Sequence, residues 1–480
     1  MKALRFICIL HFLFLLVTAQ SLFSQSEQES AAPAAEAEQK SEAAPQAEAG
    51  NEAGDEEEEQ EQSLEEQRRL TIQYGIDTQI LELISQLKDE KNENYFNQLE
   101  ELFTETSNTD IQTAVADFFN SQENNALVDE AFERLEGYDN LDTKIVLQLI
   151  RYLEEYQTES ITDLFFEMID DPRVEVASAA IKAIGVSEKP EFSEQLLEMY
   201  DEREFRDALK PALISALGEL GNRAAFDLLD SIVSDEDESK SLRWRACQAL
   251  GKIGGEDAFE SISQLLNDDD PILRSYAVNA LGYLDQKGAV DILIDALRDN
   301  MWRVRVQAAE ALGRKQASEA FDILKYKAQH DPDIRNVRLA AVQAIGKLDI
   351  GKGYDFLREL YRDSRTPAGL RSKAIEILVE DNLSASIDVI NAVFDEEWDK
   401  EKSYILDYTC KMLSTRESPH LVKLYERMLN HPSHINLLYY GLRGVRLNKF
   451  GSLRDEVEDL TADNVSRSVR SLAKSVLSEL

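Results

Sequence analysis

His431 and His434, in the string His431-Pro432-Ser433-His434, stand at a spacing that metal ligands use. The proline places His431 in a turn and no third ligand is near in sequence, so the pair is expected in a surface loop, and no metal site is expected. Beyond the first 25 residues the other histidines are His330 and His420. Cys247 and Cys410 each lie in an apolar run, far apart along the chain, which suits two buried thiols better than a disulfide or a nucleophile. Gly351-Lys352-Gly353 is too short to cradle phosphate and reads as a loop. There is no Gly-x-Ser-x-Gly elbow, no phosphate-binding glycine loop and no Cys-x-x-Cys pair. No catalytic residue, metal or other cofactor is therefore expected. An enzyme or cofactor carrier remains the alternative, and it would have to use His431, His434 or Cys410.

The elements that position these residues repeat. Ile184-Gly185, Leu217-Gly218, Leu250-Gly251, Leu281-Gly282, Leu312-Gly313, Ile345-Gly346 and Leu378-Val379 follow one another at steps of 33, 33, 31, 31, 33 and 33 residues. A stack of helix pairs imposes such a period; a single globular core does not. Five residues before each rung stand Ala180, Leu213, Ala246, Ala277, Ala308, Ala341 and Ala374. Two before stand Ala183, Ala216, Ala249, Ala280, Ala311, Ala344 and Ile377. These offsets share one side of a helix, giving each unit a narrow packing face of small residues. Glycine after the last apolar residue suits a left-handed helix end.

Asp171-Pro172, Asp270-Pro271, Asp331-Pro332 and Thr366-Pro367 precede these helices as start signals. A second amphipathic run lies upstream of each, such as residues 258–266 and 289–297. The period continues weakly on both sides, through Phe119 and Tyr152 and then Met412-Leu413, Gly444-Val445 and Val476-Leu477. The expected fold is all-α, an α-solenoid of about twelve stacked antiparallel helix pairs between residues 70 and 480. Units 70–164 and 381–480 diverge, as end repeats must turn a face to water; residues 165–380 form the regular array.

Residues 271–282 (Pro-Ile-Leu-Arg-Ser-Tyr-Ala-Val-Asn-Ala-Leu-Gly) and 303–313 (Arg-Val-Arg-Val-Gln-Ala-Ala-Glu-Ala-Leu-Gly) resemble HEAT repeats, in particular the short bacterial type also found in phycobilin lyases. The resemblance implies a HEAT-like superhelix with the second helix of each pair on the concave side. It implies no activity, since folds of this kind serve many functions. The di-iron enzymes among HEAT-like proteins use paired His-Glu steps, and no His-Glu dipeptide occurs here. A lyase-like role would rest on the repeat alone. The family's basic residue falls eight before the rung, at Lys210, Arg243, Arg274, Arg305, Arg338 and Arg371. These cations are expected to pair with acids of the inter-helix turns, Asp270, Asp331 and Asp333 among them, and so to fix register between units.

Offsets of three, six and ten before the rung form a different stripe. It holds Arg245, Gln248, Tyr276, Asn279, Arg303, Gln307, Glu310 and Gln343, with Trp244 and Trp302 beside it. Tyr, Trp and Arg on a concave face are common interface anchors, and these ten residues are the candidate partner-binding site.

The ends and the charge bound location and partner. Lys2 and Arg5 precede an apolar run over 6–19 that closes with Val17-Thr18-Ala19, the pattern of a cleaved secretory signal (1–19). The composition of 20–69 is that of an acidic disordered linker: fifteen acids stand against Lys40, Arg68 and Arg69 over 26–69, a net of −12. With Lys2 and Arg5 also set aside, −30 of the chain's −40 belongs to residues 70–480. An island at 298–338, with nine Lys or Arg against six Asp or Glu, does not reverse that sign. Nucleic acid is excluded as a partner, because its phosphates need a basic stripe. No membrane segment is expected after signal cleavage. The reading is an exported scaffold, in a bacterial periplasm or outside the cell, binding a protein or cell-envelope component; a purely structural envelope spacer is its other alternative.

Overall fold

A computed structural model of the chain describes residues 52–480 apart from 188, 203–205, 401 and 433, with side chains described from 63 onward except at 201, 202 and 334. The chain divides into two compact units, 1–65 and 66–480. The expected signal at 1–19 and residues 20–51 of the expected linker lie outside the described residues. Residues 52–69, expected to lack fixed structure, fall instead within the helix Glu52–Tyr74. Its sequence explains the difference: Glu, Gln, Leu and Arg dominate it, all strong helix formers.

The described residues contain 26 α-helices and no strand. Helix Asp77–Glu90 leads into twelve consecutive pairs, from Phe96–Glu105 with Thr109–Ser121 to Arg454–Asp459 with Arg467–Glu479. One apolar core runs through them. Second helices pack directly on one another along the whole array, from Val174–Gly185 through Lys240–Ile253 to Ile435–Asn448. Successive first helices meet far more sparingly. A stack with one layer spaced more tightly than the other curves toward the tight layer, so the second helices line the inner side.

The rung glycines set that tight spacing, by a different route from the one their position suggests. Gly218, Gly251, Gly313 and Gly346 lie inside helices, Gly185 is the last residue of its helix, and Gly282 follows its helix with φ −64°. None is a left-handed terminator; Gly221, with φ 66°, fills that role one turn after Gly218. The rungs are glycine because the next helix presses on them. A methyl on Gly218 would lie 2.8 Å from both Cα and Cβ of Ala249, and one on Gly185 would lie 2.7 Å from Ala216 Cα. Each contact joins a rung to the small residue two places before the next rung. The alanines five places before the rungs are fully buried on the same face, Ala246, Ala277, Ala308 and Ala341 among them.

The start signals divide in the structure. Asp270 accepts from Ile272 N–H and caps the helix opened by Pro271. Asp171 and Asp331 accept from the N–H two residues on in the same way, from Arg173 and Asp333, and in addition bind arginine side chains through their carboxylates. Thr366 caps nothing, since helix Ala368–Asp381 starts after Pro367 without a side-chain acceptor. Toward the ends, aromatics take the place of the glycine–alanine contact. Phe96, Phe118 and Phe119 pack together in the early units, and the Tyr425 ring lies against Gly444 in the late ones. That substitution is why the period fades from the sequence while the pairs continue.

Candidate functional site

The basic column forms a ladder along the inter-helix turns, and it reaches forward one unit. Arg274 chelates Asp299 through Nε and Nη2 at 2.9 and 3.0 Å. Arg305 does the same to Asp331 at 3.0 and 2.9 Å. Arg243 donates to Asp268 at 2.8 Å, and Arg371 stands 3.5 Å from Glu397. Each arginine also holds a carbonyl of its own turn, as Arg243 does at Val233 and Arg371 at Tyr361. The acids therefore belong to the following unit, and two of the three expected ones do other work. Asp270 caps its helix and accepts from Trp244 Nε1 at 2.9 Å, and Asp333 caps at Asn336. Lys210 pairs within its own turn, with Asp207.

Burial alone would raise the Asp331 carboxyl. Arg305, the Asp333 N–H and Lys327 act the other way and leave it below the usual carboxylate value. Asp268 and Asp299 are held down in the same manner against burial, by Asp270 N–H with Arg243 and by Arg274 with Met301 N–H respectively. Pairs this enclosed specify register, and breaking one strands a buried charge.

The inner stripe gathers five of its ten residues into one shallow groove. Tyr276, Asn279, Trp302, Arg303 and Gln307 line a cleft of about 430 Å³, together with Ile272, Ser275 and Val306. Trp244 extends it, its ring stacked on Tyr276 at 5.9 Å and 27°. Its bond to Asp270 fixes the indole, so the aromatic pair is preorganised. At the other wall the Arg303 guanidinium sits 5.3 Å from the Trp302 ring. Asn279 is half engaged, accepting from Arg314 at 2.9 Å, and Gln307 donates to Glu310 at 3.1 Å. Arg245 reaches Ser215 at 3.4 Å. Gln248 and Gln343 are exposed on the stripe outside the cleft. The arrangement offers flat aromatic surface, one cation, amides and the Ser275 hydroxyl.

The sequence matches the family described as spirochaete HEAT repeat protein over residues 72–476. The chain belongs to that family. The HEAT repeats thus extend well beyond 165–380, where their motif strings are strong. Among solved structures, Kap121p is 14% identical with a TM-score of 0.41, covering 86% of this chain and 53% of its own. Importin beta is 13% identical with a TM-score of 0.36, covering 86% and 64%. Kap95p, in a structure with RanGDP, is 12% identical with a TM-score of 0.41, covering 81% and 62%. This HEAT repeat protein therefore spans little more than half to two thirds of the length of those chains. No curated protein matches it.

The residues weighed for chemistry settle into the HEAT framework. His431 is buried at 6% exposure, not in a surface loop, because its ring packs 4.4 Å from that of Trp398. Its Nδ1 accepts from His434 N–H at 3.2 Å, and its Nε2 lies 3.3 Å from Trp398 O. Both nitrogens are committed when the ring is neutral, and burial lowers its pKa. Among the described residues no group of three His, Cys, Asp or Glu could hold a metal ion. Cys247 and Cys410 are buried and free, and burial pushes the Cys247 thiol up to about 12. Gly351-Lys352-Gly353 opens the helix Gly351–Arg362 and is not a loop. No described helix is long and apolar enough to cross a membrane.

The turn edge also holds a cleft that the sequence pattern did not point to, of about 550 Å³ between Ala328 and Leu370, with Arg338 in its wall. Spacing does not mark it, since Asp331 to Arg338 spans seven positions, between the six of Asp268–Arg274 and the eight of Asp235–Arg243.

Proposed function

We propose that this protein is an exported, non-catalytic HEAT-repeat scaffold that binds a protein or cell-envelope partner along its inner face. The observation that carries the reading is the cleft between Tyr276 and Trp302, walled by the fixed Trp244–Tyr276 stack and by Arg303. Rigid aromatics and an arginine at the centre of a surface supply most of the energy of typical interfaces. Export rests on Lys2, Arg5 and the apolar run that follows, and N-terminal sequencing of protein from the culture or envelope fraction tests it. Intact Met1 on all the protein would remove that part.

Binding is tested by a photo-crosslinking residue placed at Arg303, compared with one at Tyr326, an exposed position on a first helix. The reading expects a discrete adduct from position 303 that position 326 does not give. Identical adduct patterns from both would refute the inner face as the docking surface.

A further inference from the structure

The arginine ladder has one open rung. Arg243, Arg274, Arg305 and Arg371 each reach a carboxylate of the next unit. The equivalent acid for Arg338 is Asp363, which makes the same turn as Asp268, Asp299 and Asp331 by accepting from the N–H two residues on. Its carboxylate is taken by Arg365 instead, through Nε at 3.0 Å and Nη2 at 3.2 Å. Arg338 donates through Nε to Asp331 O at 2.6 Å, as Arg243 donates to Val233 O. In Arg243 the Nη edge then meets Asp268. In Arg338 that edge has no hydrogen-bond or ion-pair partner among the described residues, and it faces the 550 Å³ cleft.

Two further features coincide there. The helix of Arg338 opens with a π-helical turn, Ile334–Arg338, and π turns recur at functional sites. The cleft joins donors to an apolar floor: Gln329, His330 and Thr366 stand around Phe356, Leu360 and Pro367. Glu359 on the wall is the one acid not already neutralised there, since Arg365 offsets Asp363. An arginine fork is suited to two carboxylate oxygens, and two closed rungs, Arg274–Asp299 and Arg305–Asp331, display such a pairing in this same chain.

We propose that the Arg338 cleft receives a carboxylate supplied by another polypeptide, a Glu or Asp side chain whose aliphatic stem lies on Phe356 and Leu360 and whose oxygens complete the open rung. This site is on the turn edge and stands independently of the inner groove. The test follows arginine Nε–H resonances of the full mature protein by NMR. The probe is N-acetyl-glutamate N-methylamide at millimolar concentration, against the matching glutamine compound and inorganic phosphate. The Arg338 signal, identified by its loss in Arg338→Lys, should move saturably with the glutamate probe, with affinity at least about tenfold above that for the amide, a typical gain for a charge-assisted pair.

Equal response to the glutamine compound, or no response, overturns the proposal, and a stronger response to phosphate overturns the choice of carboxylate. In Asp363→Asn the glutamate response should persist unchanged. If it appears only in that variant, Asp363 closes the rung itself and the proposal fails. Arg338→Met should leave the melting temperature intact, whereas Arg305→Met should lower it.

Discussion

Replacing Gly218 with alanine should destabilise this protein, although alanine is the better helix former. A methyl at Gly218 would stand 2.8 Å from Cα and Cβ of Ala249, and neither atom can rotate away. The two helices must separate by several tenths of an ångström. Overpacking of this kind costs about 1–3 kcal/mol. Against it stands the intrinsic preference for alanine over glycine in a helix interior, about 0.8–1.0 kcal/mol. The net expectation is a loss of roughly 0–2 kcal/mol. Gly369 provides the control, because it lies in a helix with nothing within 4 Å of the same methyl. Gly369→Ala should gain up to about 1 kcal/mol. Urea unfolding followed by circular dichroism reads both changes. Combining Gly218→Ala with Ala249→Gly removes one of the two close approaches and should recover part of the loss, with a coupling of at least about 0.5 kcal/mol in the double-mutant cycle. If Gly218→Ala stabilises as Gly369→Ala does, the close-approach account of the rungs is wrong.

Asp331→Asn should cost roughly 3–5 kcal/mol, because it leaves the buried Arg305 without its charge partner. Asp363→Asn, removing an acid paired with a highly exposed arginine, should leave the urea midpoint unchanged. Asp171, Asp268, Asp299 and Asp331 all have carboxyls held below their ordinary value of 3.8. Folding therefore gains stability from them above that pH and loses it as pH falls further, so the urea midpoint should drop steeply below about pH 4. His431, lowered by burial from 6.5, contributes with the same sign in a higher window. A decline beginning near pH 6.5 should be present in the parent and absent in His431→Gln, and equal slopes would remove His431 from the account. Cys247 and Cys410 should resist a thiol reagent in the native state and react when urea unfolds the chain; immediate native labelling would contradict their burial.

The helix pairs were legible because a 31–33-residue period of small and apolar residues is what stacked helix pairs impose and what a single globular core does not. What those residues touch was not legible. A glycine after a leucine looks alike whether it ends a helix or admits the next one, and only the approach of Ala249 to Gly218 distinguishes the two. The arginine column was visible, but a sequence does not say toward which neighbour a long side chain leans. Hence Asp270, which caps, stood in for Asp268 and Asp299, which pair. His431 looked solvent-exposed from Pro432 and Ser433, while the feature that buries it, Trp398, lies 33 residues away. The stripe's offsets placed Tyr276, Asn279, Arg303 and Gln307 on one side of neighbouring helices. Their convergence with Trp302 into one cleft, and the Trp244 stack that frames it, depend on inter-helix spacing that no single-helix periodicity encodes.

The forward reach of the arginines also gives the array a direction in time. Arg243, Arg274 and Arg305 each wait for an acid 25 or 26 residues further along. During synthesis at about 5–20 residues per second, that acid follows its arginine by roughly 1–5 s. Until then, each of these three units ends in an unanswered cation that favours docking of whatever emerges next. This middle stretch of the stack is thereby primed to grow from its earlier units toward its later ones. A chain cut between Arg305 and Asp331 leaves the arginine without its acid, whereas one that begins between them leaves the aspartate without its arginine.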